Sequence, residues 1–304
     1  MRFGVLGCWL WLCFANLSFG YTDTFLPRLG FAWESLTSFS PNQESGYVFQ
    51  NPAGLAGAIQ HQLKVETAQA FLGYQQLNVA YVLPTSLGTL GFGYFTLYTS
   101  DINRVSKSGG DRPQVTGTFG QSFQNYVIAA STKLSPTWQL GMNLQAQSQT
   151  LDKDSAFAMG ADVGVIWNPI YGFWISGYTQ NLLNTGYKWD QTQAVDTVSP
   201  KMVLATGFRN SFCQTEISSD FEFYKLRGEW ILSQQLRLVG DYVTRSDSGY
   251  ARYSYGTVLE LGQWSLQYLH LTSQDASLDS NQDILGISLH FGSVVQIPKL
   301  RFPR

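Results

Sequence analysis

From about residue 60 onward, hydrophobic and polar side chains alternate along the chain with a period of two. The stretch 137–150 shows this most clearly, because one set of alternate positions is apolar and the other carries amides or glycine. The apolar set is Trp138, Leu140, Met142, Leu144 and Ala146, and the other set is Gln139, Gly141, Asn143, Gln145 and Gln147. Successive side chains of a strand point to opposite faces, whereas a helix would mix the two sets. The pattern predicts a β-strand with one apolar and one polar face.

The same alternation recurs and predicts about fourteen strands, each near the ~9–11 residues that a tilted membrane strand needs. The region 214–233 is the least regular and also fits one long bent strand. The predicted strands lie near 60–72, 75–83, 87–99, 119–134, 136–150, 155–168, 171–182, 199–210, 214–224, 225–233, 235–246, 250–261, 262–273 and 281–292.

The connections between the predicted strands alternate in length. The tight turns are 84–86, 135–136, 168–170, 233–234 and 261–262, and the long connections are 100–118, 183–198 and 273–280. Bacterial outer-membrane barrels have short periplasmic turns and longer outer loops. The short turns fall at the end that also carries both termini, so we expect this end to face the periplasm.

The composition separates a membrane barrel from a soluble β protein. Charged residues make up 13% of the chain, against ~25% in soluble domains, while aromatic residues reach 15% and the mean hydropathy is only −0.09. A soluble sandwich would need a far more charged surface. An open sheet edge in lipid would leave backbone groups unpaired, so the sheet must close. The predicted fold class is all-β, a closed antiparallel transmembrane β-barrel of about 14 strands.

The first 20 residues predict a secretory signal peptide. Arg2 precedes an apolar run from Val5 to Leu17, and the small residues Ser18 and Gly20 suit cleavage before Tyr21. The run is shorter than the ~20 residues of a spanning helix. We therefore expect export to the outer membrane of a diderm (Gram-negative-type) bacterium. A lipoprotein box at residues 5–8 is the alternative, but too little apolar sequence precedes it.

Cleavage before Tyr21 would leave one cysteine in the mature chain. Cys8 and Cys13 would leave with the signal peptide, so that Cys213 would have no intramolecular partner. We expect no disulfide within the mature chain.

Residues 21–58 lack sustained alternation, carry Gly, Pro, Ser and Asn, and include scattered aromatic residues. A barrel of about fourteen strands leaves a lumen that is open or plugged. We interpret 21–58 as an N-terminal plug (hatch) segment, with a disordered periplasmic leader as the alternative. The barrel itself is predicted over 59–292, and 293–304 form a C-terminal periplasmic tail.

Several function classes find no support in the sequence. The net charge is −2 without a basic tract, so nucleic-acid binding is not expected. The histidines His61, His270 and His290 are scattered, so we expect neither a metal site nor a cofactor. There is no Gly-x-Ser-x-Gly element; His270 and His290, on neighbouring predicted strands, are the best available catalytic pair. We expect the protein not to be an enzyme.

The stretch 51-NPAGLA-56, directly before the first predicted strand, carries a family resemblance. An exported chain with this element and about fourteen strands resembles the FadL family of outer-membrane transporters and the related PorV-like group. The segments 175–186, 227–243 and 281–292 extend the resemblance over most of the mature chain. It implies passive transport of a hydrophobic small molecule, such as a long-chain fatty acid. A PorV-like accessory barrel that binds exported proteins, and a general porin, remain alternatives.

The resemblance also implies a hatch role for Asn51, Pro52 and Ala53, because the plug of FadL-type proteins carries this element. Pro52 fixes the backbone and removes a donor. Asn51 can hydrogen-bond its own turn, and Gly54 permits a backbone that other residues resist. The turn could shift as a gate or remain a rigid structural element.

Three departures from the family bear on the substrate and on assembly. The chain is shorter than typical FadL transporters, and it has no long apolar outer loop that could form a binding groove. The last strand carries Gly286, Leu289 and Phe291, like a signal for the barrel-assembly machinery, yet 13 residues (292–304) follow it. These differences bear on fatty-acid specificity and not on the fold.

Period-two alternation also predicts which charged side chains point inward: Glu66, Asp162, Glu229, Arg237, Asp241, Arg252 and Glu260. Four of these lie on successive strands and form a candidate polar cluster across the lumen: Glu229, Arg237, Asp241 and Arg252. The cluster serves either as ion pairs that hold the lumen and plug together or as an anchor for a ligand carboxylate, which arginine binds in a bidentate manner.

Overall fold

A computed structural model describes residues 45–69, 74–106, 114–245, 251–273 and 281–292. The predicted signal peptide, residues 21–44 of the predicted plug and the tail 293–304 lie outside these residues. Over the described ranges, no helix has the length and apolar character needed to cross a membrane.

Within these described ranges, fourteen long strands and three short ones form one antiparallel sheet. The first seven are β1 His61–Gln69, β2 Gln75–Pro84, β3 Thr89–Ser106, β4 Gln114–Lys133, β5 Trp138–Leu151, β6 Asp154–Ile170 and β7 Phe173–Gln180. The short strands are β8 Leu183–Asn184, β9 Tyr187–Trp189 and β10 Val195–Asp196. The last seven are β11 Lys201–Arg209, β12 Cys213–Ser219, β13 Phe223–Ile231, β14 Leu236–Arg245, β15 Ala251–Leu261, β16 Trp264–Ser273 and β17 Gln282–Phe291.

The long strands close into a barrel. Each pairs with the next along the chain, β7 pairs with β11, and β17 pairs with β1 from Phe291 opposite His61 to Asp283 opposite Gln69. Closure leaves no strand edge among these fourteen, which is what a sheet in lipid requires. The prediction of a closed barrel of about fourteen strands is confirmed.

Burial alternates along the strands as the sequence predicts. On β5, Trp138 and Met142 are 42% and 50% exposed, whereas Gln139 and Asn143 are 6% and 1% exposed. Apolar side chains therefore face outward and amides face the lumen. This distribution is inverted relative to a soluble barrel and is typical of one surrounded by lipid.

Aromatic side chains mark the two ends of the outer surface. The outward tryptophans Trp138, Trp167, Trp230 and Trp264 all lie at the end of the short turns, where Trp138 and Trp167 stack with ring centroids 5.5 Å apart. Tyr98, Tyr224 and Tyr253 lie outward toward the other end. Such belts occupy the two membrane interfaces of barrels.

Two of the predicted connections are wrong. The connection 100–118 is mostly strand, because β3 and β4 continue to pair past a bulge between Thr99 and Ile102. Residues 168–170 also belong to a strand, since a bulge near Pro169 absorbs the irregularity and the turn falls at 171–172, where Gly172 has φ +80°.

The region 214–233 forms two strands rather than one bent strand. A carboxylate oxygen of Asp220 accepts hydrogen bonds from the backbone N–H groups of Glu222 (3.1 Å) and Phe223 (2.7 Å). Such local bonds stabilise a turn, and they set the boundary between β12 and β13.

Candidate functional site

The segment 45–58, called here the inner segment, lies inside the barrel. It consists of two 3₁₀ turns, Ser45–Phe49 and Pro52–Gly57, and every residue from 45 to 56 is buried. The second turn contacts β3 to β6 near their short-turn ends. The described part of the predicted plug therefore occupies the end of the lumen that we expect to face the periplasm.

The Asn-Pro-Ala turn is held by its own hydrogen bonds. Asn51 is the N-cap of the second turn, and its Oδ1 accepts from the backbone N–H of Ala53 at 3.1 Å. The N–H of Gly54 donates to the carbonyl oxygen of Asn51 at 3.0 Å. Pro52 follows the cap, where its missing N–H costs nothing. Asn51 and Pro52 thus adopt the local geometry that the sequence predicts.

Gly54 has a different role from the one expected. Its backbone is not in the left-handed region. An added Cβ would instead lie 2.5 Å from ring carbons of Tyr47, which packs directly over it. Position 54 therefore requires glycine for close approach between the two 3₁₀ turns and not for an unusual backbone conformation.

The barrel wall beneath the turn is built from glycines. An added Cβ at Gly141 would overlap the nitrogen of Ala53, and one at Gly164 would overlap Oδ1 of Asn51. On β3, a Cβ at Gly91 would lie 2.8 Å from side-chain atoms of both Val48 and Leu55. The sequence pattern assigned such positions to the inner face, but it carried no signal for their contact with the turn.

Charged side chains line the wall over β12 to β15. At the short-turn end, Nη1 of Arg237 lies 2.8 Å from Oε1 of Glu229, and its Nη2 donates to Glu260. These three residues come from consecutive strands, β13, β14 and β15. Arg237 thus links the short-turn ends of these three strands on the lumen side.

Asp241 belongs to a second group farther from the short turns. Its Oδ1 lies 3.7 Å from Nε of Arg227, and its Oδ2 accepts from the hydroxyl of Ser254 at 2.9 Å. Since Asp241 follows Arg237 by four residues on β14, the two groups lie about 13 Å apart along the strand. Arg252 also faces inward, on β15 opposite Val243. The four predicted residues thus share one wall but lie at different heights.

Four further charged side chains in the described strands are buried on the inner face, and the sequence did not single them out: Lys64, Glu216, Lys225 and Arg227. Nζ of Lys64 lies 2.6 Å from Oε1 of Glu66 on the same strand. Arg227 and Lys225 precede the inward residue Glu229 by two and four positions on β13. Alternation along the strand therefore predicts that they also face inward. The alternation over 214–233 is the least regular in the sequence, and this weakened the signal.

A polar network ties the connection after β7 to the inner wall. A carboxylate oxygen of Asp162 accepts from the backbone N–H of Leu182 at 3.3 Å, and the N–H of Asp162 donates to Asn143. The hydroxyl of Tyr187 donates to Oε1 of Gln147 at 2.6 Å. Burial raises the pKa of Tyr187, so the hydroxyl stays protonated and keeps donating.

The histidines do not converge. His270 lies near the end of β16 with Nδ1 2.8 Å from Oδ1 of Asp283 on the outer face, whereas His290 lies near the opposite end of the barrel and faces inward. The pair suggested by the sequence is therefore not an assembled pair. No group of three or more His, Cys, Asp or Glu within the described ranges could hold a metal ion.

No protein-family model and no curated protein sequence matches this chain. The structure of the Ralstonia pickettii toluene transporter TbuX aligns at 9% identity and a TM-score of 0.60, covering 82% of this chain and 94% of that one. The Pseudomonas putida toluene transporter TodX aligns at 9% identity and 0.57, covering 84% and 95%.

The chain has the fold of these transporters. A Pseudomonas aeruginosa FadL homologue also aligns, at 11% identity and a TM-score of 0.48, over 82% of this chain and 94% of that one. The fold itself rests on TbuX and TodX, whose TM-scores of 0.60 and 0.57 confirm the type of closed barrel that the sequence predicts.

Proposed function

We propose that this protein is an outer-membrane channel through which hydrophobic small molecules diffuse passively, with the turn Asn51–Gly54 as its gate. One observation carries the proposal: a closed barrel with an apolar outer face holds this turn, fully buried, at one end of its lumen. A segment in that position has to move before a solute can pass along the wall that it covers.

Two ligand classes are compatible with the proposal. The resemblance of the sequence implies long-chain fatty acids, whereas TbuX and TodX are toluene transporters. We favour an apolar ligand with few polar groups. The lumen-facing charges with the closest contacts, such as Arg237 with Glu229 and Lys64 with Glu66, are already engaged with one another.

The test compares uptake of radiolabelled oleate and radiolabelled toluene by Gram-negative cells that lack their own channel for each compound. Cells carrying the wild-type protein are compared with cells carrying Asn51→Ala. Folding in the membrane is verified by a gel shift on boiling. We expect saturable uptake of at least one compound, with a changed rate in the variant.

Failure would have distinct forms. A folded protein that supports uptake of neither compound would overturn the proposal. Steady ion conductance of the wild type in planar bilayers would indicate a general porin. Stable co-purification of exported proteins, without uptake, would indicate an accessory barrel of the PorV-like kind.

A further inference from the structure

Gly141 and Gly164 are direct partners across the β5–β6 ladder, and both face the lumen. The next inward positions on these strands all carry side chains: Gln139, Asn143, Asp162 and Ile166. Two opposed residues without Cβ atoms therefore leave a flat patch of bare backbone between these four side chains. The Asn-Pro-Ala turn lies on this patch.

Backbone conformation does not explain the two glycines. Neither has φ in the left-handed region. Glycine in a strand interior weakens the strand, and it marks places where another backbone approaches closely. Here the approaching backbone is that of Pro52 and Ala53, because an added Cβ at Gly141 would overlap the carbonyl carbon of Pro52.

The contact between turn and wall is made by shape alone. The hydrogen bonds of Asn51 and Gly54 lie within the turn, and Pro52 has no N–H to donate. Within the described ranges, no hydrogen bond joins residues 51–54 to the wall. Lifting the turn therefore breaks no hydrogen bond to the wall, while any extra atom beneath it prevents close contact.

We infer that Gly141 and Gly164 form a seat that holds the Asn-Pro-Ala turn in its closed position by shape. The inference deepens the proposed function, since it names the wall residues against which the gate closes. The seat is also independent of the proposed function, because it can exist whether or not the turn moves during transport.

A disulfide tests the seat directly. Cγ of Asn51 lies 3.0 Å from the position of a Cβ at residue 164. Adding one C–C bond places the two Cβ atoms at most about 4.5 Å apart, within the range of a disulfide. In a Cys213→Ser background, we expect Asn51→Cys/Gly164→Cys to cross-link under mild oxidation. The matched control is Asn51→Cys/Gly160→Cys, since Gly160 faces inward on the same strand about 13 Å away.

A second measurement uses alanine variants. Asn51 is 1% exposed, so Asn51→Cys should react slowly with a maleimide. Gly141→Ala should displace the turn, because its Cβ would lie 2.3 Å from backbone atoms of Pro52 and Ala53. Overpacking by one methyl group shifts such an equilibrium by about 5- to 150-fold. Labelling should rise accordingly. Gly160→Ala should leave it unchanged, since its Cβ would make only ordinary contacts, at 3.4 Å from the carbonyl oxygen of Leu183.

Both measurements use protein that still shows the gel shift on boiling. Cross-linking no better than in the control pair, or labelling unaffected by Gly141→Ala, would overturn the seat. If the cross-link forms and uptake is the same before and after reduction, the seat stands and the gating part of the proposed function fails. Uptake that is blocked by the cross-link and restored by a reductant would support both.

Discussion

Replacing Arg227 by methionine should destabilise the barrel strongly. Arg227 lies on β13 between Glu216 on β12 and Asp241 on β14, each directly opposite it across a strand pair. The side chains of Arg227 and Asp241 are 5% and 1% exposed, with Nε 3.7 Å from Oδ1. Arg227→Met keeps the apolar stem and removes the positive charge that both carboxylates face.

The size of the effect follows from burial. At 3.7 Å and an effective dielectric constant of 20, the attraction of the Arg227–Asp241 pair is about 4.5 kcal/mol. Desolvation offsets much of this in the intact pair. Removing only one partner leaves a buried charge uncompensated, which costs about 3–5 kcal/mol. An exposed pair supplies the control: Arg104 and Asp152 are 49% and 39% exposed, so Arg104→Met should cost no more than ~1 kcal/mol.

The free energy of unfolding can be measured by urea titration of the protein in lipid vesicles, followed by tryptophan fluorescence. Because Asp241→Asn removes the opposing charge, the double variant with Arg227→Met should be more stable than additivity predicts, by ~0.5–3 kcal/mol. A loss below ~1 kcal/mol for Arg227→Met, or strict additivity in the double variant, would refute the assignment of a buried, mutually dependent pair.

Two further substitutions probe the region where β7 leaves β6. Thr179→Val should cost about 0.5–1.5 kcal/mol in the same unfolding assay and speed amide exchange at Val163, because the threonine hydroxyl accepts from that N–H at 3.0 Å. An unchanged exchange rate would contradict this bond. Tyr187→Phe should make the connection 183–198 more sensitive to protease, since it removes the 2.6 Å hydrogen bond to Gln147; equal cleavage of wild type and variant would show that this bond does not hold the connection.

The barrel could be predicted because the alternation of apolar and polar residues within each strand shows by itself which side chains face outward. Along β5, the parity of Trp138 and Gln139 alone decides which side faces lipid, and the structure keeps that parity from Trp138 to Leu144. The assignment of inward and outward positions along a strand stays correct even when a predicted strand boundary is wrong by a few residues. The fold and the direction of most inward charges therefore followed from the sequence even where turns were misplaced.

The misplaced turn at 168–170 shows where local signals fail. Asn168 followed by Pro169 is a strong turn signal. The structure keeps these residues in β6, as a bulge next to Ile170, which still pairs with Phe173. A bulge also absorbs proline, since it leaves one residue unpaired. Asn168 followed by Pro169 is compatible with a turn and with a bulge, and only the pairing of β7 with β6 decides between the two.

The seat for the turn could not be predicted, for a different reason. Asn51 and Gly164 are 113 residues apart, and their contact requires the closed barrel, the β5–β6 register and the entry of the inner segment all at once. In the sequence, Gly141 and Gly164 are simply inward positions without side chains. They form a seat because the β5–β6 register places them opposite each other and the backbone of the turn packs onto the pair. The same logic applies to Arg227, whose effect depends on carboxylates that two separate registers bring to its sides.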